Sequence, residues 1–217
     1  MLVQCSLIIM QRSRLTKVAV RVTVVLAALV LGFAALSVFE RWRTQAEFGT
    51  VLSAFFSDTL LHDIQKSGSG RAVQVIILRE GPRDAIWKAR WLNLLLDRKM
   101  PFPQASPVTL SSLFLSNAVT TDTAAELRLP KGVDFVVVSR SELERGQLGI
   151  FAGRSLDNVE YFAVSQPGLN FSKTEAILYI DYGCLRVTDL CGGGGYILMR
   201  KVNGVWSVVD RHMTWES

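Results

Sequence analysis

Two cysteines near the C-terminus have the spacing that most clearly indicates chemistry. Cys184 and Cys191 enclose six residues between two segments that we predict to be antiparallel strands. Paired strands would bring the two thiols together, so we predict a disulfide, which would stabilise the fold by roughly 2–3 kcal/mol in the chain-entropy model. Such a bridge persists in an oxidising compartment outside the cytoplasm. The alternatives are a redox-active pair, which more usually has the Cys-x-x-Cys spacing, and a metal site, which would need further ligands.

Polar residues around the same loop form a weaker candidate site. Asp181, Arg186, Asp189 and His212 offer carboxylate, guanidinium and imidazole groups, which a hydrolase acting on envelope material could use as acids, bases and charge stabilisers. The chain contains no Gly-x-Ser-x-Gly nucleophile elbow, and its carboxylates are scattered. We therefore assign no catalytic, cofactor-binding or metal-binding residue, expect no cofactor, and favour a protein that is not an enzyme.

Four consecutive glycines at 192–195 follow Cys191 directly. A glycine run that leads into a helix can hold a phosphate against the helix N-terminus. This run leads into a predicted strand instead, so we interpret it as a tight turn beside the disulfide. The alternative is a stretch of backbone that a partner approaches closely.

All of these residues follow a strongly apolar segment near the N-terminus. Residues 22–39 contain no charged side chain, and an apolar helix needs about 20 residues to cross the hydrocarbon core of a bilayer. The sequence predicts a cytoplasmic tail at 1–17, a transmembrane signal anchor at 18–39, and one extracytoplasmic domain at 40–217. A cleaved signal peptide, with Ala35-Leu36-Ser37 at the cleavage site, is the alternative.

The net charge of +5 belongs to the N-terminal part of the chain. Arg12, Arg14, Lys17 and Arg21 precede or begin the apolar segment, which contains no acidic residue, and they predict a cytoplasmic N-terminus. The remaining residues include 20 basic and 19 acidic side chains. Because a nucleic-acid-binding domain needs a basic face, we expect no nucleic-acid partner.

Residue periodicity predicts the elements that must position the candidate sites. Apolar residues three and four apart predict a helix at 44–66, which could continue from the apolar segment, and a second helix is predicted at 84–98. β-Branched runs predict early strands at 72–79, 108–115, 133–139 and 159–164. Strands at 175–182, 195–202 and 205–210, with Asn203-Gly204 as a hairpin turn, form an antiparallel meander. Early helices and late strands indicate an α+β fold.

The C-terminal quarter resembles a group of uncharacterised bacterial exported proteins. These end in a pattern of the form A-L-V-Y-V…C-G…C-G-x-G…K-x-N-G-x-W…W-x-S. The matching residues are AILYI at 176–180, Cys184, CGGG at 191–194, KVNGVW at 201–206 and WES at 215–217. The cysteine loop is longer here than in that pattern. The resemblance implies export and an antiparallel C-terminal sheet, and it implies no activity.

These observations predict a protein of the bacterial inner membrane whose domain lies in the periplasm or outside the cytoplasm. We expect the domain to bind another envelope protein or to serve as an accessory subunit of an envelope complex. The envelope-acting hydrolase and a thiol–disulfide protein remain as the alternatives.

Overall fold

The computed structural model describes residues 2–67, 73–79, 81, 101–118, 133–144, 160–184 and 192–216. The helix predicted at 84–98 lies outside these residues. Within them, three helices surround one mixed sheet, which confirms the α+β class.

The N-terminal helix is continuous for 66 residues. Helix α1 (Leu2–Ser67) contains an early stretch that is long and apolar enough to span a membrane or to serve as a signal anchor, and almost none of that stretch is buried. The helix then continues into the core without a break. There Phe48, Leu52 and Phe55 form a face that is at most 2% exposed, which confirms the first part of the apolar face predicted at 44–66; the side chains from residue 60 onward lie outside the described ones.

The sheet contains a parallel and an antiparallel part. The strands are β1 (Val73–Leu78), β2 (Val133–Val138), β3 (Glu160–Val164), β4 (Gly168–Leu169), β5 (Glu175–Cys184), β6 (Gly192–Val202) and β7 (Val205–Glu216). They lie in the order β2-β1-β3-β5-β6-β7, and β4 pairs with β5. Strand β1 runs parallel to β2 and β3, and the other pairs are antiparallel. The predicted C-terminal meander is thus confirmed.

Helices pack on both faces of the sheet. The second half of α1 covers one face, where Phe56 contacts the ring of Phe162 at 5.4 Å between centroids. The other face carries α2 (Pro107–Asn117) and the short helix α3 (Arg140–Glu144). Leu113 of α2 packs there with Tyr179 and Leu198. The central strands are therefore buried on both sides, which explains their nearly continuous apolar sequences.

The prediction of a strand at 108–115 is wrong, because these residues form α2. The Ser106 side chain accepts a hydrogen bond from the backbone N–H of Val108, and Pro107 occupies the first turn, where its missing N–H costs nothing. The Asn203-Gly204 turn is confirmed, with φ values of 52° and 81°.

A buried ion pair fixes α1 to the sheet just beyond the apolar stretch. Arg43 Nε donates to Glu40 Oε2 at 2.9 Å, and its guanidinium also donates to the backbone oxygens of Leu169 at 2.7 Å and Asn170 at 3.0 Å. The hydroxyl of Ser112 in α2 donates to Glu40 and accepts from Leu169 N. We call Glu40, Arg43 and Ser112 the helix–sheet junction, since they join α1, α2 and β4.

Two further ion pairs show how α1 runs along the sheet. Glu47, one turn after the junction, accepts from Lys201 Nζ at 3.0 Å, close to the β6–β7 turn. Three turns later, Asp58 accepts from Arg211 at 2.6 Å, further along β7. The helix and β7 therefore run in the same direction, away from the junction.

The junction predicts a characteristic dependence of stability on pH. Burial raises the pKa of Glu40, but hydrogen bonds from Arg43 and Ser112 and the charge of Arg43 outweigh it and lower the pKa below its ordinary value of 4.5. Because the unfolded chain then takes up this proton first, the stabilisation is complete above about pH 4.5 and is lost as the pH falls through the lower folded-state pKa. We expect the free energy of unfolding to fall in that window.

Urea unfolding of the detergent-solubilised chain, followed by tryptophan fluorescence between pH 3 and 6, measures this effect. Glu40→Gln should lower the free energy of unfolding at pH 7 by about 1–3 kcal/mol and flatten its pH dependence. The pKa of Glu47 is also lowered, by Lys201 and Trp206 against the effect of burial, so part of the slope should persist. An identical slope in wild type and variant would contradict this role of Glu40.

Candidate functional site

The sheet has two structurally different ends. The end at the helix–sheet junction carries the β4–β5 turn and the β6–β7 turn, which lie side by side because Lys201 N donates to Thr174 O at 2.8 Å. The opposite end, which we call the far end, contains the start of β3 and β6 and the last residues of β5 and β7. The fifteen residues of α1 from Arg43 to Asp58 correspond to about 22 Å along the helix axis. Because Asp58 contacts Arg211, which pairs with Ile197 in the middle of β6, the far end lies beyond the level of Asp58.

The glycine run is a buried strand at the far end, so its interpretation as a tight turn is wrong. The glycines at 192–195 begin β6 and pair with residues 180–183 of β5. Gly193 lies opposite Tyr182, and Gly194 lies opposite Asp181. Central strands normally avoid glycine, which often marks a place where another group approaches the backbone closely.

Aromatic rings from the neighbouring strands occupy the space above these glycines. A Cβ atom on Gly193 would lie 2.7 Å from the Tyr182 hydroxyl oxygen, and one on Gly194 would lie 2.2 Å from Trp215 Nε1. On the other side of β5, a Cβ atom on Gly183 would lie 2.4 Å from the ring of Tyr161. Glycine is therefore required here, because ring atoms occupy the positions that a Cβ would need.

Asp181 is the centre of a polar group on the sheet face that Trp215 covers. Trp215 Nε1 donates to Asp181 Oδ1 at 3.3 Å, and the Thr214 hydroxyl donates to Gly194 O at 2.8 Å. A register shift between Gly194 and Gly195 gives Thr214 no direct partner in the β6–β7 ladder. The carboxylate, the indole N–H and the hydroxyl thus lie next to one another at the far end.

Tyr179 extends this group into the core. Its hydroxyl lies 3.4 Å from Thr214 Oγ1 and also interacts with Trp215 and Asp181. Burial and the nearby charge of Asp181 raise the pKa of Tyr179 above its ordinary value of 10, although the hydrogen bond with Thr214 acts in the opposite direction. The hydroxyl is therefore protonated at neutral pH and can donate a hydrogen bond, but it does not act as a base.

The structure brings two of the predicted site residues onto one face. Asp181 pairs with Gly194, and His212 pairs with Tyr196, which itself pairs with Tyr179. Alternation along β5 places Asp181 and Tyr179 on the same face, and His212 is on that face too, 6.4 Å from the ring of Phe102. His212 is exposed and Asp181 is half-buried. Arg186 and Asp189 lie outside the described residues.

The cysteine prediction is only partly within the described residues. Cys184 is the last residue of β5, and Cys191 lies outside. The β5–β6 ladder ends with the pair Gly183–Gly192. Since Cys184 follows the first of these glycines in the sequence and Cys191 precedes the second, the register favours the disulfide, which stays a prediction.

Sequence reasoning missed the aromatic side chains that cover the far end of the sheet. Tyr161, Tyr179 and Tyr182 were not predicted as site residues, and Trp215 was interpreted as a core or sheet-face residue. Two signals could have identified them. Tyr179 and Asp181 are two residues apart in a predicted strand, and a long glycine run in the neighbouring strand leaves space that large side chains can fill.

Comparison of the chain with protein-family models, with curated proteins and with solved structures finds no match in any of the three. The role of the domain must therefore be inferred from its own residues.

A methyl group added at Gly194 should displace the aromatic cover. We expect Gly194→Ala to lower the free energy of unfolding by about 1–3 kcal/mol, because the new Cβ would overlap Trp215 and Asp181. Gly32→Ala is the matched control, since a Cβ at Gly32 would meet no atom within 4 Å. In a Trp215→Ala background the cost of Gly194→Ala should be smaller. Equal costs in both backgrounds, measured by urea unfolding, would show that the ring does not require the glycine.

The disulfide prediction can be tested by counting thiols. The chain has three cysteines, Cys5, Cys184 and Cys191. After denaturation without reductant, alkylation should modify only Cys5, and prior reduction should make all three reactive in mass spectrometry. Three alkylated thiols before reduction would exclude the bridge. A structural bridge should also resist mild reductant in the native chain, whereas a redox pair would exchange.

Proposed function

We propose that this protein is a membrane-anchored extracytoplasmic domain that binds another envelope protein at the far end of its sheet, as an accessory subunit of an envelope complex. In this proposal α1 crosses the bacterial inner membrane as an uncleaved anchor. The N-terminus lies in the cytoplasm and the domain lies in the periplasm.

The continuity of α1 is the observation that carries the proposal. A single helix passes from the exposed apolar stretch into the core, and the helix–sheet junction ties it to α2 and β4. A domain on a flexible tether could search for distant substrates, whereas this domain is held at one height and one orientation. That arrangement suits a subunit that presents one surface to a neighbour in the same membrane.

The proposed orientation is supported by charge and by the cysteines. Four basic residues precede or begin the apolar stretch, and basic residues on the N-terminal side favour a cytoplasmic N-terminus. A Cys184–Cys191 bridge would need an oxidising compartment. The resemblance to exported bacterial proteins agrees with the same side of the membrane.

The far end is better suited to recognition than to hydrolysis. The Asp181 carboxylate already accepts a hydrogen bond from Trp215, and Tyr179 keeps its proton. A hydrolase would need Asp181 or His212 to exchange a proton with a substrate. Aromatic side chains with polar groups at their edges are enriched in protein interfaces, and Trp215 is partly exposed beside Asp181.

A photo-crosslinking experiment in cells tests the binding surface. A photoreactive amino acid at His212, which is exposed on the far-end face, should give one adduct of defined mass that also appears after mild detergent extraction. The same amino acid at Gln45, which is exposed on α1 near the junction, is the control and should not give that adduct. A lone monodisperse monomer without an adduct at His212 would overturn the proposal.

A further inference from the structure

Exposed apolar side chains are concentrated at the junction end of the sheet. Beyond residue 39, the described part of the chain exposes six large apolar side chains. Four of them lie at the junction end, and the other two are Phe135 and Val209. The four are Trp42 at 76%, Phe171 at 80%, Val202 at 61% and Val205 at 68% exposed.

Three structural elements bring these four residues together. Trp42 belongs to α1, Phe171 lies in the β4–β5 turn, and Val202 and Val205 flank the β6–β7 turn. Arg43 links the first two elements, because it donates to Asn170 O and lies over the Phe171 ring at 5.9 Å. The backbone bond from Lys201 to Thr174 links the second and the third. The four side chains therefore lie at the same end of the domain, close to one another in height along α1, and we call them together the apolar rim.

The β4–β5 turn holds Phe171 outward in a fixed conformation. Asn170 Oδ1 accepts from the backbone N–H groups of Thr174 at 2.9 Å and Glu175 at 3.2 Å, and Lys173 has a φ of 54°. An ordered turn with an aromatic residue at 80% exposure cannot bury that ring within the domain. The ring needs an external environment.

The height of the rim matches the headgroup layer of the bilayer that α1 is proposed to cross. Arg43 lies four residues, or about 6 Å, beyond Phe39 along the helix. The polar layer of a bilayer adds roughly 5–8 Å on each side of the hydrocarbon core. Tryptophan is enriched in this layer, and tryptophan, phenylalanine and leucine form the apolar faces that interfacial helices bury at the boundary with the acyl chains.

Helix α2 reaches deeper still. The Phe114 ring lies 6.1 Å from the ring of Phe33, which is inside the predicted span at 18–39. Phe33 lies six residues, or about 9 Å, before Phe39. One part of the domain thus contacts the span at a level below the end of the hydrocarbon core.

We infer that the apolar rim inserts into the interface of the same bilayer, so that the domain has a second membrane contact besides its single span. The occupant of the rim is lipid, specifically the boundary between headgroups and acyl chains. Two of the basic side chains at the rim are already paired, Arg43 with Glu40 and Lys201 with Glu47, so we expect insertion to depend on apolar contact more than on charge. This inference rests on the proposed membrane anchoring.

Spin-label accessibility on the full chain in lipid nanodiscs tests the inference. A nitroxide-bearing amino acid at 171 or at 205 should contact lipid, so its collision ratio of oxygen to a water-soluble nickel chelate should be several-fold above that at 135. Phe135 is a matched control because it is apolar and 41% exposed. It also lies at the far end, since Phe135 pairs with Val75, Val75 pairs with Glu160, and Glu160 pairs with Cys184 at the end of β5. The two test positions are exposed, so their substitution should not disturb the core.

A label at Leu29, which lies within the span, separates the two proposals. A high collision ratio at 29 together with low, water-like ratios at 171 and 205 would overturn the proposed insertion of the rim and would leave the proposed membrane anchor intact. Aqueous values at 29 as well would overturn the anchor and the proposed function with it. The lipid contact at 171 should persist in nanodiscs of phosphatidylcholine alone. Its disappearance there would show attraction to anionic headgroups and would contradict apolar insertion.

Discussion

The ion pair between Glu40 and Arg43 is the interaction on which the rest of this structure depends. It lies where an exposed apolar helix becomes a packed one, and its guanidinium also holds the backbone oxygens of Leu169 and Asn170. Removing one partner of this largely buried pair would leave the other charge without its counter-charge, which is destabilising. Because both partners are on α1 and the further acceptors are on the sheet, this pair determines where the sheet sits relative to the helix.

The two ends of the sheet differ in how their large side chains are packed. At the junction end, large side chains such as Phe171 and Val205 point outward from tight turns. At the far end, large rings pack over a strand segment made of glycine, as Trp215 packs over Gly194. The strands between them are apolar on both faces and tie the ends together. One sheet can therefore present two surfaces of different character to different surroundings.

Sequence reasoning succeeded where the signal is local. The α1 periodicity, the Asn203-Gly204 turn and the C-terminal meander depend on neighbouring residues, and the structure confirms them. It failed at 108–115, where a short apolar run does not distinguish a strand from a helix and where the cap at Ser106 and Pro107 was overlooked. The contacts of Arg43 with the sheet and of Trp215 with Asp181 join residues more than thirty positions apart, so local spacing does not predict these specific pairs.

The unbroken course of α1 also has a mechanical meaning. A helix without a hinge transmits torque, so a rotation of the apolar stretch about its axis turns the sheet through the same angle. Each residue contributes about 100° of helical rotation. The number of residues between Phe39 and Arg43 therefore sets the angle around the helix axis at which the far end lies. In the proposed envelope complex, the length of this short segment would set which neighbour Asp181 and Trp215 face.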